Sequence, residues 1–274
     1  MLLIIAALVA ALGYGTANFL GGLASRRQPA AITMFLSQIT TFFMVCIMAP
    51  QAGGRPGSLM LGATAGVLAF AGALLAYVCF SLGRPIGVAA ALLGTTAAAV
   101  PVIAGCATGR PPSALAAAGL ALALAAVVVL GWPRETRTDL RVALLAAGSG
   151  TAFGIYHVLI SHTDHTTAFW PLLASQTVVA VLAWGAVVVT RSRPAGPVAI
   201  RLSVGDGLAS TVATVAALAA VRSGSLAVAG TVIALSPAAT VLLSRIFLAE
   251  RLHRTQAAGL AAALAAIVLL TLPQ

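Results

Sequence analysis

Lysine is missing from this 274-residue chain and charge of either sign is scarce, with 7% of residues charged and five acids against fifteen arginines. An ordinary soluble domain carries about a quarter charged residues. A water-facing globular surface is therefore excluded. Aromatics make up only 5%, and there are three cysteines, Cys46, Cys79 and Cys106. Each lies in or at the end of an apolar run, remote from a second cysteine or a histidine at ligand spacing. They read as small packing residues and not as a redox or metal centre.

What the chain has instead is apolar length: 61% of residues are hydrophobic and the mean hydropathy is +1.07. A helix needs roughly 20 apolar residues to cross a hydrocarbon core of about 30 Å, and such stretches follow one another almost end to end. Strands facing lipid are excluded because their unpaired backbone groups are too costly there, and the runs are too long for barrel strands. The net charge of +10 does not point to nucleic acid, since the arginines stand singly or in pairs between apolar runs and form no basic patch. Arginine at helix ends suits lipid head groups instead. The apolar stretch Leu2 to Leu12 lacks a basic segment before it and reads as the start of a first spanning helix, not as a cleaved leader.

Breaks at Arg, Pro and Gly clusters predict ten helices, at 2–23, 31–50, 59–82, 87–107, 113–132, 141–161, 168–190, 204–221, 225–248 and 255–272. The two halves of the chain echo each other. Gly15-Thr16-Ala17 recurs as Gly150-Thr151-Ala152, Ser37-Gln38 as Ser175-Gln176, Arg84 as Arg222 and Gly119 as Gly259, at offsets of 135, 138, 138 and 140. Two repeats of five helices each, 1–135 and 136–274, must be inserted in opposite senses because five is odd. The predicted fold is thus an all-α integral membrane bundle of ten transmembrane helices in two inverted five-helix repeats. That architecture is common among transporters, whose halves rock about a midplane site. Pro101 and Pro237 fall within the fourth and ninth helices, where each is expected to bend its helix by removing a backbone hydrogen bond. The small-xxx-small spacings Gly62/Gly66, Gly83/Gly87 and Gly150/Gly154 predict close helix approach.

Several segments resemble EamA-type permeases of the bacterial drug/metabolite transporter superfamily. They are GTANFLGGLASRR from Gly15, the run from Pro85 through Val100-Pro101 to Pro112-Ser113-Ala114-Leu115, the patch Phe169-Trp170-Pro171-Leu172-Leu173, and SPAATVLLSRIFLAERLHRTQAAG from Ser236. The resemblance covers essentially the whole chain. It implies a ten-helix bundle with a central cavity and export of amino acids and related metabolites, nucleotide sugars, sugar phosphates or toxic compounds. Relatives often carry an acid where this chain has Asn18 and a Glu where it has Arg110, which argues against proton coupling through the first helix.

The five acids, Glu135, Asp139, Asp164, Asp206 and Glu250, all fall in predicted loops or outer helical turns. Asp206, three residues after Ser203, reads as a capping charge at the start of the eighth helix; the alternative is a charge at the cavity mouth, paired with Arg201 or recognising a cationic substrate group. Glu250 reads as a partner of Arg251 or Arg254. Polar and aromatic residues within spans form the candidate cavity wall: Tyr14, Asn18, Gln38, Tyr77, Thr95, Tyr156, His157, Trp170, Gln176, Thr211 and Thr214, with Thr96 and Thr231 as weaker members. Asn18, Gln38 and Gln176 carry the most weight because an amide in lipid needs partners. A threonine can satisfy its hydroxyl on its own helix. His157, inside a predicted helix and with a reference pKa near 6.5, is the candidate for proton coupling; the alternative is a neutral ring bonded across helices. His162, Asp164 and His165 read as a solvated connection and not as a metal site. No catalytic cluster, metal or cofactor is expected.

The odd-numbered connections hold twelve arginines and the even-numbered three. By the positive-inside rule both termini lie outside the cytoplasm, against the cytoplasmic termini that the family resemblance implies. The expected activity is transport of small polar metabolites by alternating access, with a neutral or zwitterionic solute preferred over a cation. Proton-coupled drug efflux is the alternative, and a structural or sensory membrane subunit the alternative from another class. The expected partners are a small-molecule substrate and membrane lipid, with no nucleic acid, for a monomer or homodimer in a bacterial plasma membrane.

Overall fold

Side-chain size, not polarity, sorts the faces of these helices. In the computed structural model, which describes residues 1–82, 86–107, 114–130, 140–224, 226–248 and positions 255, 258, 259, 261, 262, 265, 266 and 269, the interior is built largely of alanine and glycine. Ala7, Ala10, Ala24, Ala65, Ala90, Ala183, Ala213 and Ala220 have no exposed surface. Outward faces carry Ile5, Leu12, Phe43, Ile47, Val181, Trp184, Val188 and Val212. Lipid is as apolar as leucine, so helices in a membrane gain by close van der Waals approach between small residues. Both faces of each helix can then be apolar.

The described elements are α1 Leu2–Ser25, α2 Ala30–Gln51, α3 Leu59–Ser81, α4 Ile86–Ala107, α5 Ala114–Leu130, α6 Leu140–Ser161, a single 3-10 turn His165–Thr167, α7 Trp170–Thr190, α8 Pro197–Arg222, α9 Leu226–Ile233 and α10 Ser236–Leu248. Among the described residues there is no strand. Among the described residues seven spans are long and apolar enough to cross a membrane: α1, α2, α3, α6, α7, α8 and the segment Val228–Phe247. Each described position from 255 to 269 is helical. Glu135, Asp139, Glu250, Arg110 and the side chains of Cys106 and Thr95 lie outside the described residues.

Two expectations are corrected. The eighth helix begins at Pro197, not at 204, with Gly196 as its N-cap. Pro197 fits a first-turn position because the missing N–H has no intrahelical partner there. Arg201 is exposed on an early turn of α8. An arginine on the outer turn of a 26-residue helix, about 39 Å long at 1.5 Å per residue, reaches water without ending the helix. The ninth predicted helix is interrupted at Ala234-Leu235, and Pro237 is the second residue of α10 and not a mid-helix kink. Pro101, by contrast, sits inside a continuous α4.

α1 packs chiefly on α8, and α6 chiefly on α3 and α4. α2 packs on α7 and α8, α7 on α2 and α3, and α4 on α6 and α9. Glycines set the closest approaches. A Cβ on Gly66 of α3 would stand 2.6 Å from the Ser175 carbonyl of α7, and a Cβ on Gly207 of α8 would collide with the Ser37 carbonyl of α2. On the Gly62/Gly66 and Gly150/Gly154 faces, the neighbours met are Pro171 and Ser175 of α7, and Leu93, Ala97 and Val100 of α4. The connections at 52–58 and 162–169 meet at one end of the bundle, where the Arg55 amide donates to the Thr166 carbonyl at 3.1 Å and the Asp164 amide to Ser58 Oγ at 3.1 Å. The end of α8 joins them through Arg222.

Candidate functional site

The middle of the bundle is hollow. The cavity includes about 1040 Å³ of non-atom space, part of it open to solvent, and is walled by α1, α2, α3, α4, α6, α7, α8, α9 and the α9–α10 break. Eight of the residues expected from sequence lie on this wall: Tyr14, Asn18, Gln38, Tyr77, Tyr156, His157, Gln176 and Thr214. Thr211 and Trp170 do not. Thr211 is buried and donates to the Gly207 carbonyl one turn back at 2.8 Å, which satisfies its hydroxyl on its own helix. Trp170 opens α7 with its indole N–H buried away from the cavity and without a partner among the described residues. Thr96 likewise donates to the carbonyls of Leu92 and Leu93.

The acid in the wall is the feature that sequence reasoning placed wrongly. Asp206 does not cap α8; it lies in the tenth position of that helix, is 1% exposed and faces the cavity. Its Oδ2 accepts a hydrogen bond from Tyr77 Oη at 2.6 Å and its Oδ1 accepts from Ser210 Oγ at 3.2 Å. Among the described residues no arginine or histidine is paired with it. Ser203 is not a cap either: its hydroxyl donates to the Ala199 carbonyl at 2.9 Å and accepts from Gln28 Nε2 at 2.8 Å. Starting α8 at 204 made a mid-helix acid look terminal. The available signal was Pro197, a helix-opening residue seven positions upstream.

Gly21 of α1 completes this corner and carried no side-chain signal at all. A Cβ there would stand 2.6 Å from Asp206 Oδ2 and 2.8 Å from the Tyr77 ring. Glycine thus lets the α1 backbone close over the carboxylate. Ser37 of α2 is fully buried, with its hydroxyl beside Asp206 and Tyr77.

A second polar group stands further along the cavity. Tyr14 Oη and Thr214 Oγ1 share a hydrogen bond at 3.3 Å. The Tyr14 and Tyr156 rings meet the His157 ring edge-on, at centroid distances of 6.2 and 5.2 Å. His157 Nδ1 lies 2.8 Å from the Phe153 carbonyl, so this nitrogen carries the proton, and Nε2 is buried with no partner among the described residues. The side-chain oxygen of Gln176 is likewise buried and unpartnered there. Buried polar groups are normally paired; these two belong to residues that line the cavity.

Outside the cavity, His162 and Asp164 do not converge as a ligand set. His162 Nδ1 lies 2.7 Å from the Val158 carbonyl of its own helix. Asp164 caps the 3-10 turn by accepting from the Thr166 amide at 2.9 Å, which holds its carboxyl below the usual carboxylate range. Cys79 is buried with its thiol 3.7 Å from the Val142 carbonyl, and Cys46 is half-buried.

Residues 140–272 match the EamA-like transporter family. No curated protein matches the chain in sequence. A solved crystal structure, described only as that of a protein, superposes with a TM-score of 0.78 at 15% identity, covering 98% of this chain and 96% of that one. At that identity the likeness speaks for the fold alone.

Proposed function

We propose that this chain, whose residues 140–272 belong to the EamA-like transporter family, is a multi-pass permease that moves small polar metabolites, amino acids and related solutes among them, by alternating access around the central cavity. The observation that carries this reading is the cavity itself, walled from both halves of the chain and bearing buried polar groups with open valences.

The halves are read as inverted repeats, 1–135 and 136–274, in a ten-helix arrangement, and reciprocal contacts support this. A Cβ on Gly94 of α4 would meet Pro237 at 2.9 Å, and a Cβ on Gly230 of α9 would meet Pro101 at 2.9 Å. Gly94 and Gly230 are 136 positions apart, as are Pro101 and Pro237. Gly66 on Ser175 and Gly207 on Ser37 are exchanged in the same way. A two-fold relation between oppositely inserted halves is what permits one closed packing to be traded for its two-fold-related counterpart across the membrane.

The arginine-rich connections are read as cytoplasmic, in a bacterial plasma membrane, with efflux as the direction of transport. A C-terminal reporter active only in the cytoplasm would overturn that orientation. A second reading, proton-coupled efflux of drugs or toxic compounds, is favoured by the carboxylate of Asp206 inside the wall, since ionisable groups within a membrane bundle mark ion or substrate paths. His157 remains the other candidate for that proton. The deciding experiment for the permease itself is a metabolite screen on purified protein in liposomes. Faster movement of at least one solute than in protein-free vesicles is expected; equal rates for the whole panel would sink the reading.

A further inference from the structure

We infer that Asp206, held by Tyr77 and Ser210, is an ammonium-binding subsite, and that the solute carried is a cationic amine whose apolar or aromatic body extends toward Tyr14, Tyr156 and His157. This rests on the permease reading and names the substrate class for it.

The first argument is charge. Asp206 is 1% exposed, and a lone carboxylate buried in a bundle costs several kcal/mol unless a counter-charge reaches it. The chain has no lysine, and the described wall of the cavity contains no arginine. Unless the carboxylate takes up a proton, its counter-charge enters from the cavity. An anionic or zwitterionic solute finds no arginine on the described wall and would bring its own carboxylate into a field set by Asp206. This reverses the preference for a neutral or zwitterionic solute drawn from the sequence, which rested on the absence of an acid inside the spans.

The second argument is valence. An ionised carboxylate has about four lone-pair directions. Tyr77 Oη donates to Oδ2 and Ser210 Oγ to Oδ1, and the Ser37 hydroxyl also stands beside the carboxylate. The remaining directions can accept the N–H groups of an ammonium. Tyr77 and Ser210 come from two different helices and fix the carboxylate from both sides, while the α1 backbone at Gly21 closes the third. A carboxylate held in this way is preorganised for a donor of defined direction, as a charge-assisted hydrogen bond requires.

The third argument is length. Asp206, Ser210 and Thr214 stand one helical turn apart on the cavity face of α8, so Asp206 and Thr214 are separated by about 12 Å along the axis. The wall also carries the apolar Ala17, Ala73 and Phe153 beside the polar Asn18 and Gln38. At the Thr214 end stands Tyr14, whose ring, like that of Tyr156, meets the His157 ring edge-on. An arylalkylamine offers an ammonium for the first end and a ring for the second.

The test uses four amines (tyramine, phenethylamine, hexylamine and agmatine) with tyrosine and 4-hydroxyphenylpropionate as zwitterionic and anionic counterparts of tyramine. Binding to the full-length protein in detergent is measured beside counterflow in liposomes. At least one amine is expected to bind, with tyrosine and the anion at least tenfold weaker. Asp206→Asn should weaken that amine tenfold or more, Asp206→Glu should recover part of the loss, and Tyr77→Phe should weaken it three- to tenfold. If Asp206→Asn proves unstable in detergent, Tyr77→Phe and Ser210→Ala decide by the same measure. Amine binding unchanged in these variants overturns the inference, as does a wild type that binds none of the four amines. Counterflow of tyrosine without any amine would overturn the subsite and leave the permease standing. If no solute moves, the permease reading itself fails. Loss of proton-driven accumulation in Asp206→Asn with amine binding intact would make Asp206 a proton site and overturn the assignment.

Discussion

Tyr77 Oη donates to Asp206 Oδ2 at 2.6 Å, tying α3 to α8 across 129 positions of sequence. The two residues belong to opposite halves of the chain, so the bond is both a packing tie and a wall of the cavity. Removing the hydroxyl leaves Asp206 with the hydroxyls of Ser210 and Ser37. Tyr77→Phe is therefore expected to destabilise the folded protein by about 1.5–3 kcal/mol if the carboxylate is ionised. Thermal and denaturant unfolding in detergent measure this. No change in either would mean that the carboxylate is held by other groups.

Gly21→Ala tests the same corner from the α1 side. The new methyl would meet the ends of two side chains, Asp206 Oδ2 at 2.6 Å and Tyr77 at 2.8 Å. Side-chain ends can rotate away, so the fold should persist, while the Tyr77–Asp206 bond breaks at a cost like that of Tyr77→Phe. A monodisperse protein with altered solute binding is expected. Wild-type binding would show that the corner is not part of the solute path.

Gly207→Val is expected to be at least as damaging. Here the obstacle is the Ser37 carbonyl, and backbone cannot swing aside. Overpacking typically costs about 1–3 kcal/mol, and a rigid helix pair lies at the upper end. The related exchange at Gly66, against the Ser175 carbonyl, should behave alike. Comparable losses of melting temperature at the two positions would support the repeat relation; a large loss at one and none at the other would speak against it.

Arg222 fastens the 162–169 connection to the end of α8. Its guanidinium donates to the Ala168 carbonyl at 2.9 Å, to Thr163 Oγ1 at 2.7 Å and to the Asp164 carbonyl at 3.2 Å. Arg222→Gln should raise hydrogen exchange across 162–169 while leaving α1 and α3 unchanged. Asp164→Asn should loosen the same turn at neutral pH. Because the Asp164 carboxyl sits below its usual range in the folded protein, its contribution is present above the unfolded value of about 3.9 and fades as pH falls through the lower folded value. The difference between variant and wild type should accordingly vanish in strong acid.

His157 offers a separate test of coupling. With Nδ1 engaged by the Phe153 carbonyl, only Nε2 is free to exchange a proton with the cavity. If this ring carries the coupled proton, His157→Gln flattens the pH dependence of transport. An unchanged profile assigns the ring to packing between Tyr14 and Tyr156.

Much of the cavity wall was legible because amides and aromatic hydroxyls are conspicuous in apolar runs. Asn18, Gln38 and Gln176 each had to find a polar environment, and each borders the cavity. Threonine was a poor guide, since Thr211 and Thr96 return their hydroxyls to their own helices. Trp170 was ambiguous for a different reason: an aromatic residue at a helix start packs equally well at the membrane interface.

Composition and run length determined by themselves that the chain is helical and lives in a bilayer, because no other solvent tolerates so much apolar surface and no other backbone satisfies its hydrogen bonds there. Only the tertiary structure decided which polar residues meet. Where α8 begins, and hence whether Asp206 ends a helix or sits inside one, depends on Pro197 and on the packing of α8 against α1 and α2. Gly21 matters only because a neighbouring helix brings a carboxylate to it. Those are distances between segments far apart in sequence, and local periodicity does not encode them.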